Sequence, residues 1–269
     1  MSSAPVTPLG LHFVANSPVP GLAVAERRVH DPEATLICVH GGLDRGGSFA
    51  RLARRTEIFD VIAYDRRGYQ GSRDLAPLDL THHVDDLLAL TREAALRGPV
   101  IYFGHSYGGV ITLGAALREP SLVSLVMNYE SPMPWLLARA DRHPAPSKDP
   151  ATEAELFFRR VVSDAAWDRL SEHERNSRRL DGPALVSDLM NLRVGAPFEV
   201  ADLTTAAAYV HGDGRLAPYY RALCEQIVRV NPRFTTIELE HAGHGAHLSS
   251  PDRLATLLVE LWRQQCALG

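Results

Sequence analysis

The pentapeptide Gly104-His105-Ser106-Tyr107-Gly108, of the form Gly-x-Ser-x-Gly, constrains this chain more than any other stretch. It follows the apolar run Pro99-Val100-Ile101-Tyr102-Phe103 and precedes the helix-compatible run Val110-Ile111-Thr112-Leu113-Gly114-Ala115-Ala116-Leu117. That setting predicts a strand that turns sharply into a helix. A serine on such a turn has a strained backbone and an exposed hydroxyl, and glycines flank it because a Cβ on either side would clash. The competing reading is a glycine-rich loop whose serine only caps the following helix. The strand–turn–helix context favours a nucleophile elbow.

The rest of the chain alternates short apolar runs with helix-like segments. Strands are expected near 11–15, 22–29, 34–39, 58–64, 99–104, 122–128, 205–211 and 233–239, and helices near 47–54, 80–96, 107–118, 217–230 and 250–265. This alternation predicts an α/β fold, a mostly parallel eight-stranded sheet flanked by helices. The first two strands have no helix between them, so they are expected to form an antiparallel edge pair. A chain of 269 residues has room for one such domain with an insertion.

The insertion is placed by a change of composition after Glu130. Residues 131–150 carry five prolines and no clear period, and 153–194 are charged and helical in pattern. Residues 131–203 are therefore read as a helical lid or cap over a core formed by 1–130 and 204–269. A plain crossover needs far fewer residues.

Charge and cysteine usage exclude several function classes. A net charge of -4 argues against a general nucleic-acid binder, which needs a basic face to neutralise phosphates. No apolar run is long enough for a membrane span, and the first residues, Met1-Ser2-Ser3-Ala4-Pro5-Val6, lack the pattern of a secretory signal. Cys38, Cys224 and Cys266 form no Cys-x-x-Cys pair, so a reducing, cytoplasmic setting is expected. The glycine pairs Gly41-Gly42 and Gly46-Gly47 make neither a Walker loop nor a Gly-x-Gly-x-x-Gly fingerprint, so no cofactor is expected. His82 and Asp86 lie four apart on a helix, but Thr81 as a cap and Asp85 and Asp86 at the positive helix start explain that stretch without a metal.

An exposed serine is a weak nucleophile. It needs a base in reach, an acid to orient the base, and donors for an oxyanion. The base candidate is His244 in His241-Ala242-Gly243-His244-Gly245-Ala246-His247, between the last strand and the last helix, at the sheet edge that also carries the elbow. His241 and His247 compete with it. The three histidines as a metal cluster suit no common zinc pattern, so no metal site is expected. The oxyanion donors are expected to be the backbone N–H groups of Tyr107 and, from His40-Gly41-Gly42-Leu43, of Gly42 or its neighbour Leu43. Leu43, Met133 and Trp135 are candidates for an apolar substrate pocket, with lid-to-core packing as the equal alternative for Met133 and Trp135.

These motifs together resemble the α/β-hydrolase superfamily over nearly the whole chain. The matching residues are His40-Gly41-Gly42, Tyr64-Asp65-Arg66-Arg67-Gly68-Tyr69-Gln70-Gly71-Ser72, Gly104-His105-Ser106-Tyr107-Gly108-Gly109 and Ala242-Gly243-His244. The resemblance implies that Arg66 and Arg67 shape a loop behind the site and do not clamp an anion. It also exposes a departure. Most members carry Gly-x-x-Asp after the seventh strand, whereas here Gly212-Asp213-Gly214-Arg215 puts arginine at the acid position. A subset that includes haloalkane dehalogenase-like enzymes places the acid after the sixth strand, which here ends at Glu130. Glu130 is preferred over Asp213, and Ser106, Glu130 and His244 then follow the superfamily's order of nucleophile, acid and base.

The expected activity is serine hydrolysis of a small to medium carboxylic ester through an acyl-enzyme, by a monomer or homodimer acting on a small molecule. The alternatives are a slow or non-catalytic, receptor-like ligand binder, an acyltransferase, and an amide or carbon–carbon hydrolase with the same triad.

Overall fold

The computed structural model describes residues 10–138 and 145–268. The strands are β1 (His12–Phe13), β2 (Val24–Arg27), β3 (Ala34–Val39), β4 (Phe59–Tyr64), β5 (Val100–His105), β6 (Leu125–Tyr129), β7 (Ala207–Gly212) and β8 (Thr235–Leu239). They form one sheet in the order β1-β2-β4-β3-β5-β6-β7-β8. β2 runs antiparallel to both β1 and β4, and every pairing from β4 through β8 is parallel. The expected antiparallel edge pair is present, but β1 is only two residues long.

The strands read as continuous apolar runs because both faces of the sheet are covered. Side chains alternate between faces, and the core divides accordingly. Ile37, Val39, Tyr102, Val126 and Tyr209 face one side with α2 (Leu80–Ala95), α3 (Tyr107–Arg118) and α8 (Ala217–Val230). Leu36, Cys38, Phe103, Met127 and Val210 face the other with α1 (Ala50–Ala53) and α10 (Pro251–Leu268). The helix expected over 47–54 is half a 3-10 turn, Gly46–Phe49, and half α1. The α2 cap is Asp79, whose carboxylate accepts the His82 N–H; Thr81, the expected cap, lies within the helix.

Between β6 and β7 the chain builds α4 (Pro150–Val161), α5 (Asp164–Arg169), α6 (Glu172–Leu180) and α7 (Gly182–Asn191). The helix starts are specified locally: Asp149 caps α4, Ser163 caps α5, and Ser171 with Glu174 closes a capping box on α6. Ala154 of α4 and Leu185 of α7 form a small apolar cluster with Leu43, which follows β3. The helical insertion is thereby packed onto the loop beyond the carboxyl end of β3. Among the described residues, no helix is long and apolar enough to cross a membrane.

Strand order reverses between β3 and β5, the two strands whose following loops carry Gly41-Gly42 and Ser106. A crevice at the carboxyl ends of strands forms at such a reversal.

Candidate active site

Ser106 sits between β5 and α3 with φ 52° and ψ -128°, a left-handed backbone that a side chain rarely adopts. The turn is held by the Ser106 N–H donating to the Tyr129 carbonyl at 2.9 Å and by the Gly109 N–H donating to the Ser106 carbonyl at 2.9 Å. Glycine at 108 is required because a Cβ there would overlap the Val39 carbonyl, and a Cβ on Gly104 would lie 2.5 Å from Gly109 Cα. The sequence therefore encodes the strained serine by removing side chains around it. Ser106 is the residue before the first turn of α3, so the Tyr107 N–H is one of the helix's unpaired terminal donors.

His244 lies between β8 and α9 (Ala246–Ser249). Its Nδ1–H donates to Glu130 Oε2 at 2.6 Å. Glu130 follows β6, is 2% exposed, and itself has a positive φ of 49°. Its other oxygen, Oε1, accepts the Gly212 N–H at 3.0 Å. The carboxylate is thus fixed at both oxygens, one on the backbone of β7 and one on the imidazole. Burial lowers the His244 pKa; the Glu130 carboxylate pulls the other way and the neighbouring His105 reinforces the lowering. The imidazole is therefore held as a neutral base with Nδ1 protonated and Nε2 free.

Asp213 does something else. Its two carboxylate oxygens accept the backbone N–H groups of His241 and Ala242, at 2.8 and 3.1 Å. The Tyr129 hydroxyl donates to the Gly243 carbonyl at 2.8 Å, and His105 Nε2–H donates to the His244 carbonyl at 2.8 Å. Four consecutive residues of the histidine loop are clamped by three side chains. Arg215 is exposed and donates to the Arg160 carbonyl.

The loop after β3 is braced from behind. Arg66 is fully buried; it donates to the carbonyls of His40 (2.8 Å) and Gly41 (3.2 Å) and forks onto Asp188 of α7 at 2.6 and 3.2 Å. The Tyr69 hydroxyl also donates to Asp188, at 2.7 Å. Arg67 pairs with Asp86. His40 accepts the Arg66 N–H, and burial with the adjacent guanidinium pushes its pKa down to about 3. Sequence reasoning missed Asp188, whose partner lies 122 residues away with no motif linking the two.

Ser106, Tyr107, Gly42 and His244 line one cavity of about 60 Å³. Its remaining wall is largely apolar, with Phe157 and Val161 from α4, Leu185 and Leu189 from α7, and Tyr219 and Tyr220 from α8. Leu43, Met133 and Trp135 are not among the lining residues. Leu43 turns into the Ala154–Leu185 cluster, Met133 is fully buried in the sheet core, and Trp135 packs edge-on against Phe198 at 5.5 Å. Sequence reasoning did not anticipate the lining of this cavity because it comes from amphipathic helices whose apolar faces look like any helix face that packs on a core. His247 and His105 do not line this cavity; with Asp44 they form, among the described residues, a close group of three metal-ligand-type side chains.

An eight-stranded α/β sheet with a strained serine after β5 and a carboxylate-bound histidine after β8 defines the class: a hydrolase-type α/β fold. Residues 36–257 match the alpha/beta hydrolase family model, and the chain belongs to that family. A relative from Agrobacterium fabrum that bears the name carbamate hydrolase RutD is 26% identical over 257 residues, covering 86% of this chain and 94% of its own. The pimeloyl-[acyl-carrier protein] methyl ester esterase of Stenotrophomonas maltophilia is 32% identical over 131 residues, 48% of this chain and 46% of its own. Among solved structures, one described as a lipase from Acinetobacter baumannii AYE superposes with a TM-score of 0.73 at 18% identity, covering 97% of this chain and 94% of that one.

Proposed function

We propose that this chain is a serine hydrolase that cleaves a small carboxylic ester through an acyl-enzyme on Ser106. The observation that carries this reading is the His244 Nδ1–Glu130 Oε2 hydrogen bond of 2.6 Å, on a histidine that shares a cavity with Ser106. In this proposal Ser106 Oγ attacks the substrate carbonyl while His244 Nε2 takes its proton. The N–H groups of Tyr107 and Gly42 stabilise the tetrahedral oxyanion. His244 then gives the proton to the leaving alkoxide, which departs as the alcohol. Water, deprotonated by His244, attacks the acyl carbonyl; collapse breaks the Ser106 ester and returns the proton to Oγ. Glu130 holds the tautomer and stabilises the imidazolium.

The helical insertion is proposed as a lid that sets the substrate's size. An apolar cavity of about 150 Å³ admits benzene, so 60 Å³ favours a short acyl group unless α4 and α7 shift. Three unpaired cysteines suit the proposed reducing, cytoplasmic setting. A receptor-like role loses its main motive, because Glu130 reaches His244 despite arginine at position 215.

Cleavage of a carbon–nitrogen bond is the second reading, favoured by the name of the relative matched over 257 residues. The test is turnover of p-nitrophenyl esters from C2 to C12 and of matched carbamates, by wild type and Ser106→Ala. Ester turnover that peaks at short chains and vanishes in Ser106→Ala supports the proposal. Carbamate turnover alone moves the second reading forward, and activity retained in Ser106→Ala removes both.

A further inference from the structure

Three buried polar atoms converge behind the histidine loop without a well-directed hydrogen bond, Asp44 Oδ2, His105 Nδ1 and His247 Nε2, and His247 Nδ1 beside them has no partner either. Such groups are rare in folded proteins and call for a specific explanation. Asp44 Oδ2 lies 3.1 Å from His247 Nε2 and 3.7 Å from His105 Nδ1, and one ligand-type atom from each of the three residues lies within 4.8 Å of those of the other two. The side chains of His247 and His105 are 2% and 6% exposed.

The tautomer of His105 sharpens the problem. Its Nε2 carries a proton, because it donates to the His244 carbonyl. In the neutral ring Nδ1 is therefore a bare lone pair, and it faces a carboxylate. A proton on His247 Nε2, in the neutral or the charged ring, would relieve one side of Asp44 and leave the lone pair of His105 opposed. A single cation at the centre satisfies all three atoms together.

We propose that Asp44, His105 and His247 form a site for one divalent transition-metal cation, with two imidazoles and one carboxylate as ligands. The donor set suits zinc and its first-row neighbours. Bonds of 2.0–2.1 Å in a tetrahedral site separate ligand atoms by about 3.3 Å, and the two carboxylate–imidazole separations, 3.1 and 3.7 Å, bracket that value. Asp44 also lines a polar cavity of about 350 Å³ separate from the one that Ser106 lines. The ion ties the loop after β3, the end of β5 and α9 together. Through the Nε2–H of His105 it braces the carbonyl of His244. The site stands independently of the substrate the enzyme cleaves.

The test uses the full, untagged chain, stripped with chelator and dialysed. Zn²⁺ is titrated in competition with a chromophoric chelator, on wild type and on Asp44→Asn, His247→Gln and His241→Gln. His241 is the control, an exposed histidine on the same loop. The expected result is one Zn²⁺ per chain, weakened more than about 10-fold in Asp44→Asn and His247→Gln and unchanged in His241→Gln. No stoichiometric binding, or equal binding in all variants, overturns the proposal. If the ligand variants do not fold, Co²⁺ with wild type decides. Intense visible bands of a four- or five-coordinate ion support the site, and the weak spectrum of hexa-aqua cobalt overturns it.

Discussion

Replacing Glu130 by glutamine should be far more damaging than the loss of one charge suggests. Glu130 Oε1 accepts the Gly212 N–H at 3.0 Å and Oε2 accepts the His244 Nδ1–H at 2.6 Å. A glutamine has one oxygen and one NH2. The backbone donor of Gly212 is buried and needs an acceptor, so the amide oxygen stays there and the NH2 turns toward His244. That NH2 stabilises the tautomer with a bare Nδ1 and a proton on Nε2, which cannot accept from Ser106. The loss of a triad carboxylate with geometry intact costs about 10⁴ in kcat in the serine protease from which this reasoning is generalised. A drop of about 10³–10⁴ is expected here, about 4–5 kcal/mol of transition-state stabilisation. The assay is ester turnover with wild type, Glu130→Gln and Asp213→Asn, with folding checked by circular dichroism. Asp213 is exposed and accepts only backbone N–H groups of the loop, so Asp213→Asn should lose less than about 10-fold, a small part of a triad-scale loss. A folded Glu130→Gln within 10-fold of wild type, or a larger loss in Asp213→Asn, refutes the tautomer argument.

Further outcomes follow from the same geometry. Burial lowers the His244 pKa from its ordinary 6.5, and the base must be neutral to act, so kcat/KM should rise to its plateau with a midpoint below pH 6.5; a midpoint above 7 would contradict the burial. His40 is held neutral with its pKa down to about 3, so the unfolded chain binds a proton that the folded chain refuses. Stability should fall by about 1.4 kcal/mol per pH unit from pH 6.5 toward 3 for this group, read as a falling urea midpoint; a flat midpoint from pH 7 to 5 would exclude it. Asp188→Ala leaves the buried Arg66 unpaired and should cost about 3–5 kcal/mol in denaturant unfolding, with the loop after β3 loosened; a loss under about 1 kcal/mol, typical of a surface pair, would show that the pair braces nothing. Leu189→Ala enlarges the cavity wall and should move the preferred p-nitrophenyl ester toward longer acyl chains, whereas an unchanged profile would remove α7 from substrate selection.

The sheet was legible because its strands are short apolar runs buried on both faces, whereas the strand order, with its reversal between β3 and β5, came only from the structure. Element ends were less so. β1 shrinks to His12–Phe13 because an edge strand with one neighbour has little pairing to fix its length. Asp79 rather than Thr81 caps α2, a shift by two residues among several capable side chains. The elbow stood out because its neighbours in sequence are also its neighbours in space, whereas Glu130, whose partners Gly212 and His244 lie 82 and 114 residues away, was reached through the family resemblance. The Asp44–His105–His247 group, the Arg66–Asp188 pair and the cavity wall were invisible for the opposite reason. The first two join residues 61 to 203 positions apart, and no single segment carries a pattern that names its partner. Met133 and Trp135 take the core packing that stood as their equal alternative. They follow Glu130 closely, yet the chain turns them into the core and against Phe198.

The central claim is that Ser106 is an activated nucleophile, driven by His244 and Glu130. A fluorophosphonate probe reacts with such a serine and forms a stable ester with it. Intact-mass measurement followed by peptide mapping should find one phosphonyl group per chain, on Ser106, formed at least about 10³ times more slowly when Glu130 is glutamine. A folded wild type that takes up no probe, or takes it up at another residue, would contradict the account.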